Sequence, residues 1–260
     1  MNTNVLITGG SSGIGASLAL ELAENGYHPI ICGRSEEKLI RTQKLIYHRC
    51  GVLIEAFQFS VDRLDELPGF YKEVERKAGP VDVVINNAGA AVFDAVVDIT
   101  TEDAEQMMQL NVLAPVILSR EAANSMIRRG AEGQILFTGS LAGKIATPKS
   151  SVYAASKHAL QGFVQAFRME MTSHGIHVGI VNPGPVDTPF FEGADQDGSY
   201  AAEVSNLMRR PEEVAVLFRK MIAGRVREIS IPWWMGAAAR IYQAAPVLVE
   251  RLGSRYFHKK

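Results

Sequence analysis

The sequence predicts an α/β fold, a three-layer doubly wound arrangement on a seven-stranded parallel sheet, followed by a C-terminal helical tail. Three observations predict it. Short β-rich runs alternate with helical stretches along the chain, a pattern that implies right-handed βαβ crossovers. Several runs, such as VDVVI at 81–85 and HVGIV at 177–181, are mostly apolar, as expected for strands buried on both faces. A glycine-rich turn joins the first strand to the first helix.

Taken in order, the first strand is Asn4–Thr8. The helix after it covers residues 12–25, with Ile14, Leu18 and Leu22 at four-residue spacing and a stop near Gly26. His28–Gly33 is the second strand. Residues 35–48 form a helix expected to place Leu39, Leu45 and Ile46 on one face. Further strands are expected at 52–59, 81–86, 133–138, 176–182 and 228–231. Residues 189–210 leave the sheet as an excursion, and the stretch from Trp233 to Phe257 is helical with a break at Pro246. No repeat, low-complexity segment or linker divides the chain, so residues 1–260 are expected to form one domain, with a lid at 189–210 and a tail at 233–260.

Composition removes several classes of function. The 260 residues carry 27 Lys and Arg against 28 Asp and Glu, a net charge of −1, with 47% hydrophobic and 21% charged residues. Disordered chains have fewer apolar residues, and dedicated nucleic-acid binders show a basic excess, so no nucleic-acid partner is expected. Two cysteines, Cys32 and Cys50, cannot make a disulfide framework and read as free thiols of a reducing compartment. The first apolar run, residues 5–7, is too short for a signal peptide, and no stretch reaches the roughly 18 apolar residues of a membrane span. The expectation is a cytoplasmic protein.

The glycine turn, VLITGGSSGIG at 5–15, has the chemistry of a phosphate site. Gly9 permits a tight turn, Gly13 lets backbone approach a pyrophosphate, and Gly15 allows the helix to pack closely on the sheet. The helix N-terminus presents unpaired N–H groups and a partial positive charge, with Ser11, Ser12 and Ile14 in the same turn. The spacing is TGxxxGxG, and at this point the sequence resembles the short-chain dehydrogenase/reductase family. Further motifs follow in family order: NNAG at 86–89, Asn111, Ser140, YAASK at 153–157 and NPGPVDT at 182–188. The resemblance implies a Rossmann fold, an oxidoreductase interconverting a carbonyl and a secondary alcohol with a nicotinamide cofactor, and a homodimer or homotetramer.

The second strand bears on the cofactor. An Asp or Glu about 20 residues past the glycine turn normally holds the ribose 2′-hydroxyl. Here Gly33 occupies that place and Arg34 follows. A guanidinium binds a 2′-phosphate that a carboxylate would repel, so NADP(H) is expected; Lys38, one turn into the next helix, can add long-range attraction but reads first as an exposed helix lysine. At the adenine end, relatives commonly place Asp before a hydrophobic residue; this chain has Ser60 before Val61, with Asp62 two positions late. Asn87, Ala88 and Gly89 read as backbone packing on the cofactor side. Within NPGPVDT, Pro183 and Gly184 shape a turn, and Val186 and Thr188 resemble the family's contacts to the nicotinamide carboxamide.

Tyr153 and Lys157, four residues apart, share one helix face. A free phenol titrates near 10, and bringing it to 7 needs about 4 kcal/mol. One ammonium about 4 Å away at an effective dielectric of 20 supplies roughly that much. Ser140, just past the fifth strand, can polarise a carbonyl. By resemblance, Asn111 completes a tetrad by positioning a water that links Lys157 to solvent. No histidines sit at metal-ligand spacing. A non-catalytic NADP-binding regulator and an epimerase or dehydratase are the alternative readings; the first has no need to keep Tyr153 and Lys157 together.

The lid's Phe190, Phe191, Leu207 and Met208 favour a hydrophobic ketone or secondary alcohol, a long-chain 3-keto lipid or a steroid-like molecule by family analogy. Trp233 and Trp234 in the tail read as core, as subunit contacts, or as anchors for peripheral membrane contact.

Overall fold

The computed structural model describes residues 3–195 and 198–247. The end of the expected tail, 248–260 with Arg251 and Arg255, and lid residues 196–197 lie outside them. Seven strands form one parallel sheet in the order β3-β2-β1-β4-β5-β6-β7. They are β1 (Asn4–Thr8), β2 (His28–Gly33), β3 (Ala56–Gln58), β4 (Val83–Asn86), β5 (Gln134–Thr138), β6 (His177–Pro183) and β7 (Glu228–Ile231). The helices are α1 (Gly13–Glu24), α2 (Glu36–Cys50), α3 (Leu67–Ala78), α4 (Thr101–Met108), α5 (Ala114–Arg129), α6 (Ser151–Met171), α7 (Phe190–Ala194), α8 (Ser199–Val204), α9 (Pro211–Gly224) and α10 (Trp233–Ala244). A π-helical turn, Gln109–Leu113, joins α4 to α5.

Alternating strand residues feed two cores. Val5 and Ile7 of β1 point to the layer of α1, α2 and α9, where Leu18, Leu22, Ile46 and Phe218 are fully buried. Leu6 between them points to the opposite layer, among Leu67 and Val74 of α3, Leu118 of α5 and Val164 of α6. Both sheet faces are therefore covered, which is why the strands lack the polar alternation of a half-exposed sheet.

Two expectations change. The third strand shrinks from 52–59 to Ala56–Gln58. It is an edge strand bonded only to β2, and upstream of it the Ile54 carbonyl accepts from the Gln43 side chain at 2.7 Å. On α2, Leu39, Thr42 and Ile46 are buried while Leu45 is exposed. Six residues after Leu39, Leu45 has rotated about 240° around the helix and cannot share its face.

The chain order reverses between β1 and β4, since β1 leads to β2 on one side and β4 begins the run on the other. Loops leaving the C-terminal ends of these two strands diverge, one to each layer, and open the crevice that such sheets use for ligands.

Candidate active site

A cleft of about 760 Å³ lies along that crevice. Every site residue expected from the sequence lines it except Asn111, which stands directly behind its wall.

At one end the glycine turn wraps onto α1. Ser12 caps the helix with extended backbone but its side chain caps nothing, so the first-turn amides keep their free donors where Gly13 and Ile14 line the cleft. Gly13 has a φ of +51°, and a Cβ there would lie 3.1 Å from the Thr188 side chain. A Cβ on Gly15 would meet the Gly9 carbonyl oxygen at 2.2 Å, which is why the helix packs so tightly on the turn. Beyond them Arg34 is exposed, and among the described residues no carboxylate pairs with its guanidinium. A Cβ at Gly33 would lie 2.8 Å from Ser11 Oγ, so a side chain there requires that hydroxyl to turn. Ser60, Val61, Asp62 and Lys38 close this end. Uncapped helix amides, a glycine cradle and an unpaired cation together fit a dinucleotide with phosphates at the α1 N-terminus.

The middle of the cleft is braced by hydroxyl and amide groups. Thr8, at the end of β1, accepts from the Asn87 and Ala88 amides with one hydroxyl, both at 2.9 Å. Asn87 in turn donates to the Thr8 carbonyl at 3.0 Å and accepts from Thr138 on β5 at 3.0 Å. Three strand ends are thereby tied at one level. Pro183 and Gly184, leaving β6, and Val186 and Thr188 form the opposite wall, and the Gly184 amide donates to Ile231 of β7 at 2.7 Å.

Tyr153 and Lys157 project from the first turns of α6, and Ser140 leaves β5 in extended conformation. The Ser140 hydroxyl accepts from the Ala142 amide at 3.0 Å and lies near enough to the Tyr153 phenol to counter part of its burial. The Lys157 ammonium donates to the Thr138 carbonyl at 3.1 Å and sits 5.8 Å from the centroid of the Tyr153 ring. Burial pushes the Tyr153 phenol up to about 12, against the opposing pull of the Ser140 hydrogen bond, and burial brings Lys157 down to about 8. In the protein alone, burial sets the direction at the phenol. Both groups are desolvated, and the lysine is turned toward a backbone carbonyl.

Asn111 lies in the π-helical turn, fully engaged. Its Oδ1 accepts from the Ala90 amide at 2.9 Å, and its Nδ2 donates to the Ala90 carbonyl at 2.8 Å and to Ser156 Oγ at 2.9 Å. It stands beside Lys157 across Gly89, whose Cβ would lie 2.9 Å from Asn111 Oδ1 and 3.7 Å from Lys157 Nζ. Its side chain clamps the 89–90 turn.

The far end is aromatic. Phe93 stacks on Tyr200 at 4.1 Å and 6°, and meets the Tyr153 ring edge-on at 5.5 Å. The Phe93 amide also donates to Ala194 at 2.7 Å, fastening the lid to the loop after β4. The lid's two ends are pinned together where Val186 bridges Arg209. Phe190 and Phe191 complete the enclosure.

Residues 3–198 match the short chain dehydrogenase family. The chain belongs to this family of oxidoreductases. It is 32% identical over 240 residues to dehydrogenase/reductase SDR family member 7B of Xenopus laevis, covering 87% of this chain and 73% of that protein. It is 30% identical to the 3-dehydrosphinganine reductase of Danio rerio, over 84% of this chain and 67% of that one. Among solved structures, a short-chain dehydrogenase from Sphingobium yanoikuyae in complex with NADPH superposes with a TM-score of 0.80 at 26% identity, covering 99% and 98% of the two chains.

Within this short-chain dehydrogenase, reading the sequence missed Thr8, Thr138, Ser156 and Phe93. Ser156 lay inside the YAASK motif, but only the fold shows its hydroxyl donating to the Tyr153 carbonyl at 2.7 Å and holding Asn111. Phe93 carried no sequence signal, since a single aromatic in a loop has no period.

Proposed function

We propose that this chain is an NADP(H)-dependent reductase that interconverts a hydrophobic ketone and its secondary alcohol. The observation that carries the reading is the meeting of the Ser140 and Tyr153 hydroxyls at the boundary between a phosphate-ready crevice and an aromatic pocket. A nicotinamide cofactor held by the glycine turn, Arg34 and Lys157 would supply hydride-transfer chemistry in either direction.

The chain's own residues do the rest. Ser140 donates a hydrogen bond to the substrate oxygen and orients it. Tyr153 gives that oxygen its proton in reduction and accepts one in oxidation. Lys157 donates toward the ribose hydroxyls, and its charge opposes the desolvation that holds the phenol high. Asn111 keeps the 89–90 turn in place beside Lys157. Arg34 takes the 2′-phosphate, which supports NADP(H) over NAD(H) together with the NADPH bound by the Sphingobium neighbour.

Phe93, Phe190, Phe191 and Tyr200 favour an apolar substrate. The relative named 3-dehydrosphinganine reductase supports a long-chain keto lipid, and a steroid-like ketone fits the same wall. A homodimer or homotetramer remains part of the reading by family resemblance. The test is NADPH absorbance against a panel of aliphatic, steroid and acyl ketones. Oxidation of NADPH by long-chain ketones in preference to short polar ones is expected; turnover of none, or of polar ketones alone, would refute the reading.

A further inference from the structure

The tail helix α10 has its apolar side facing outward. Trp233 is 78% exposed, Trp234 46% and Ile241 62%, so of the three readings of the tryptophans, burial in this chain's own core is excluded. At 100° per residue, Trp233, Ala237, Ile241 and Ala244 form one stripe with Trp234 and Ala238 along its flank, and all six are exposed. The helix turns Gly236 and Ala239 inward instead. An ordinary surface helix puts charge on this side. Here Arg240, on the rim, is the one charged residue of the helix, and no Asp or Glu occurs from Ile231 to Val249.

The charge of this part of the sequence selects the occupant. After Val247 the sequence carries Arg251, Arg255, Lys259 and Lys260 against Glu250 alone, a local basic excess in a chain of net charge −1. An isologous contact with a second copy would bring two acid-free, net basic stretches of sequence together, whereas an anionic surface complements them. Tryptophans on an apolar stripe with an arginine at its edge are the composition of a helix lying in a membrane interface. The position in the fold agrees, since Met235, on the reverse side of α10, lines the cleft and its sulfur is 3.5 Å from where a Gly184 Cβ would be.

We propose that the outward face of α10 docks the protein on an anionic phospholipid surface, with the helix lying between the lipid and the cleft. The docking surface stands on these observations alone; its use in delivering a membrane-resident ketone rests on the function proposed above.

The chain's two tryptophans are both in this face, so intrinsic fluorescence reports on it directly. The full chain is mixed with phosphatidylcholine vesicles with and without phosphatidylserine. A blue shift, quenching by acyl-brominated lipid and co-sedimentation, all strongest with phosphatidylserine and weakened by salt, are expected. Ile241→Ser should lower partitioning about tenfold, and Arg240→Glu should weaken it on anionic vesicles. Unchanged emission and no sedimentation overturn the proposal. So does emission that is already blue without lipid, whether it depends on protein concentration, as a second copy would cause, or not, as the chain's own C-terminus would cause. Ile241→Ser should retain turnover of a detergent-dispersed ketone and lower it by up to about tenfold on the same ketone in vesicles. Vesicle binding without turnover of any ketone would leave the surface standing and refute the function.

Discussion

At the scale of single residues, burial disfavours the charged forms of Tyr153 and Lys157, raising the phenol to about 12 and lowering the lysine to about 8, which still leaves the lysine mostly protonated at neutral pH. Tyr153→Phe removes the proton carrier while keeping the ring against Phe93. Turnover should fall roughly a hundred- to ten-thousandfold with NADPH binding, read by fluorescence titration, nearly unchanged. The lysine makes a stability prediction. Unfolded, it keeps its proton to about 10.5; folded, it releases it near 8. Between those values the unfolded state binds more protons, so this group's contribution to stability rises with pH, by up to about 3 kcal/mol. Lys157→Met should therefore gain most over the parent near pH 7 in ligand-free urea unfolding, with the gap closing toward pH 10, where Tyr153 begins to titrate in the unfolded chain. A gap constant with pH would show that the lysine is not desolvated. At the other end of the cleft, Arg34→Ala should weaken NADPH about ten- to a hundredfold, the range of a lost charge-assisted hydrogen bond, and leave NADH unaffected; equal losses for both would remove the 2′-phosphate role.

Elements explain why those residues meet. The helix α6 carries Tyr153, Ser156 and Lys157 within little more than one turn, and the neighbouring π-helical turn presents Asn111 to Ser156. Such turns displace the regular hydrogen-bond ladder and recur at functional sites. The lid behaves as one unit because its ends are bridged and its middle is stacked on Phe93. Phe93→Ala should loosen that stack and raise KM for a long-chain ketone about tenfold, with little change in the dissociation constant for NADPH. A fall in kcat with KM unchanged would mean instead that Phe93 positions the Tyr153 ring. The same scale shows where sequence periodicity misled. Counting apolar residues in 35–48 placed Leu45 with Leu39 although the helical angle separates them, and β richness in 52–59 did not reveal that Gln43 would take the Ile54 carbonyl.

For the whole molecule, a ligand that bridges both sides of the switch point should stabilise the sheet. NADPH at about a hundred times its dissociation constant is expected to add about 2.7 kcal/mol and to raise Tm more than NADH at equal concentration; equal shifts would contradict the cofactor assignment. The alternation of strands and helices, the parallel sheet and the phosphate turn were legible in the amino-acid order because each depends on residues close in sequence: a period, a glycine spacing, a strand followed by a helix. The YAASK motif belongs with them, since a four-residue step on a helix sets its own geometry. What the tertiary structure alone decided are relations across long separations. It brought Thr8 to Asn87, fastened Phe93 to the lid, buried the Tyr153 phenol, and left the tryptophans of α10 outside. Each depends on which surfaces are removed from water, and desolvation is a property of the packed molecule that no local pattern records.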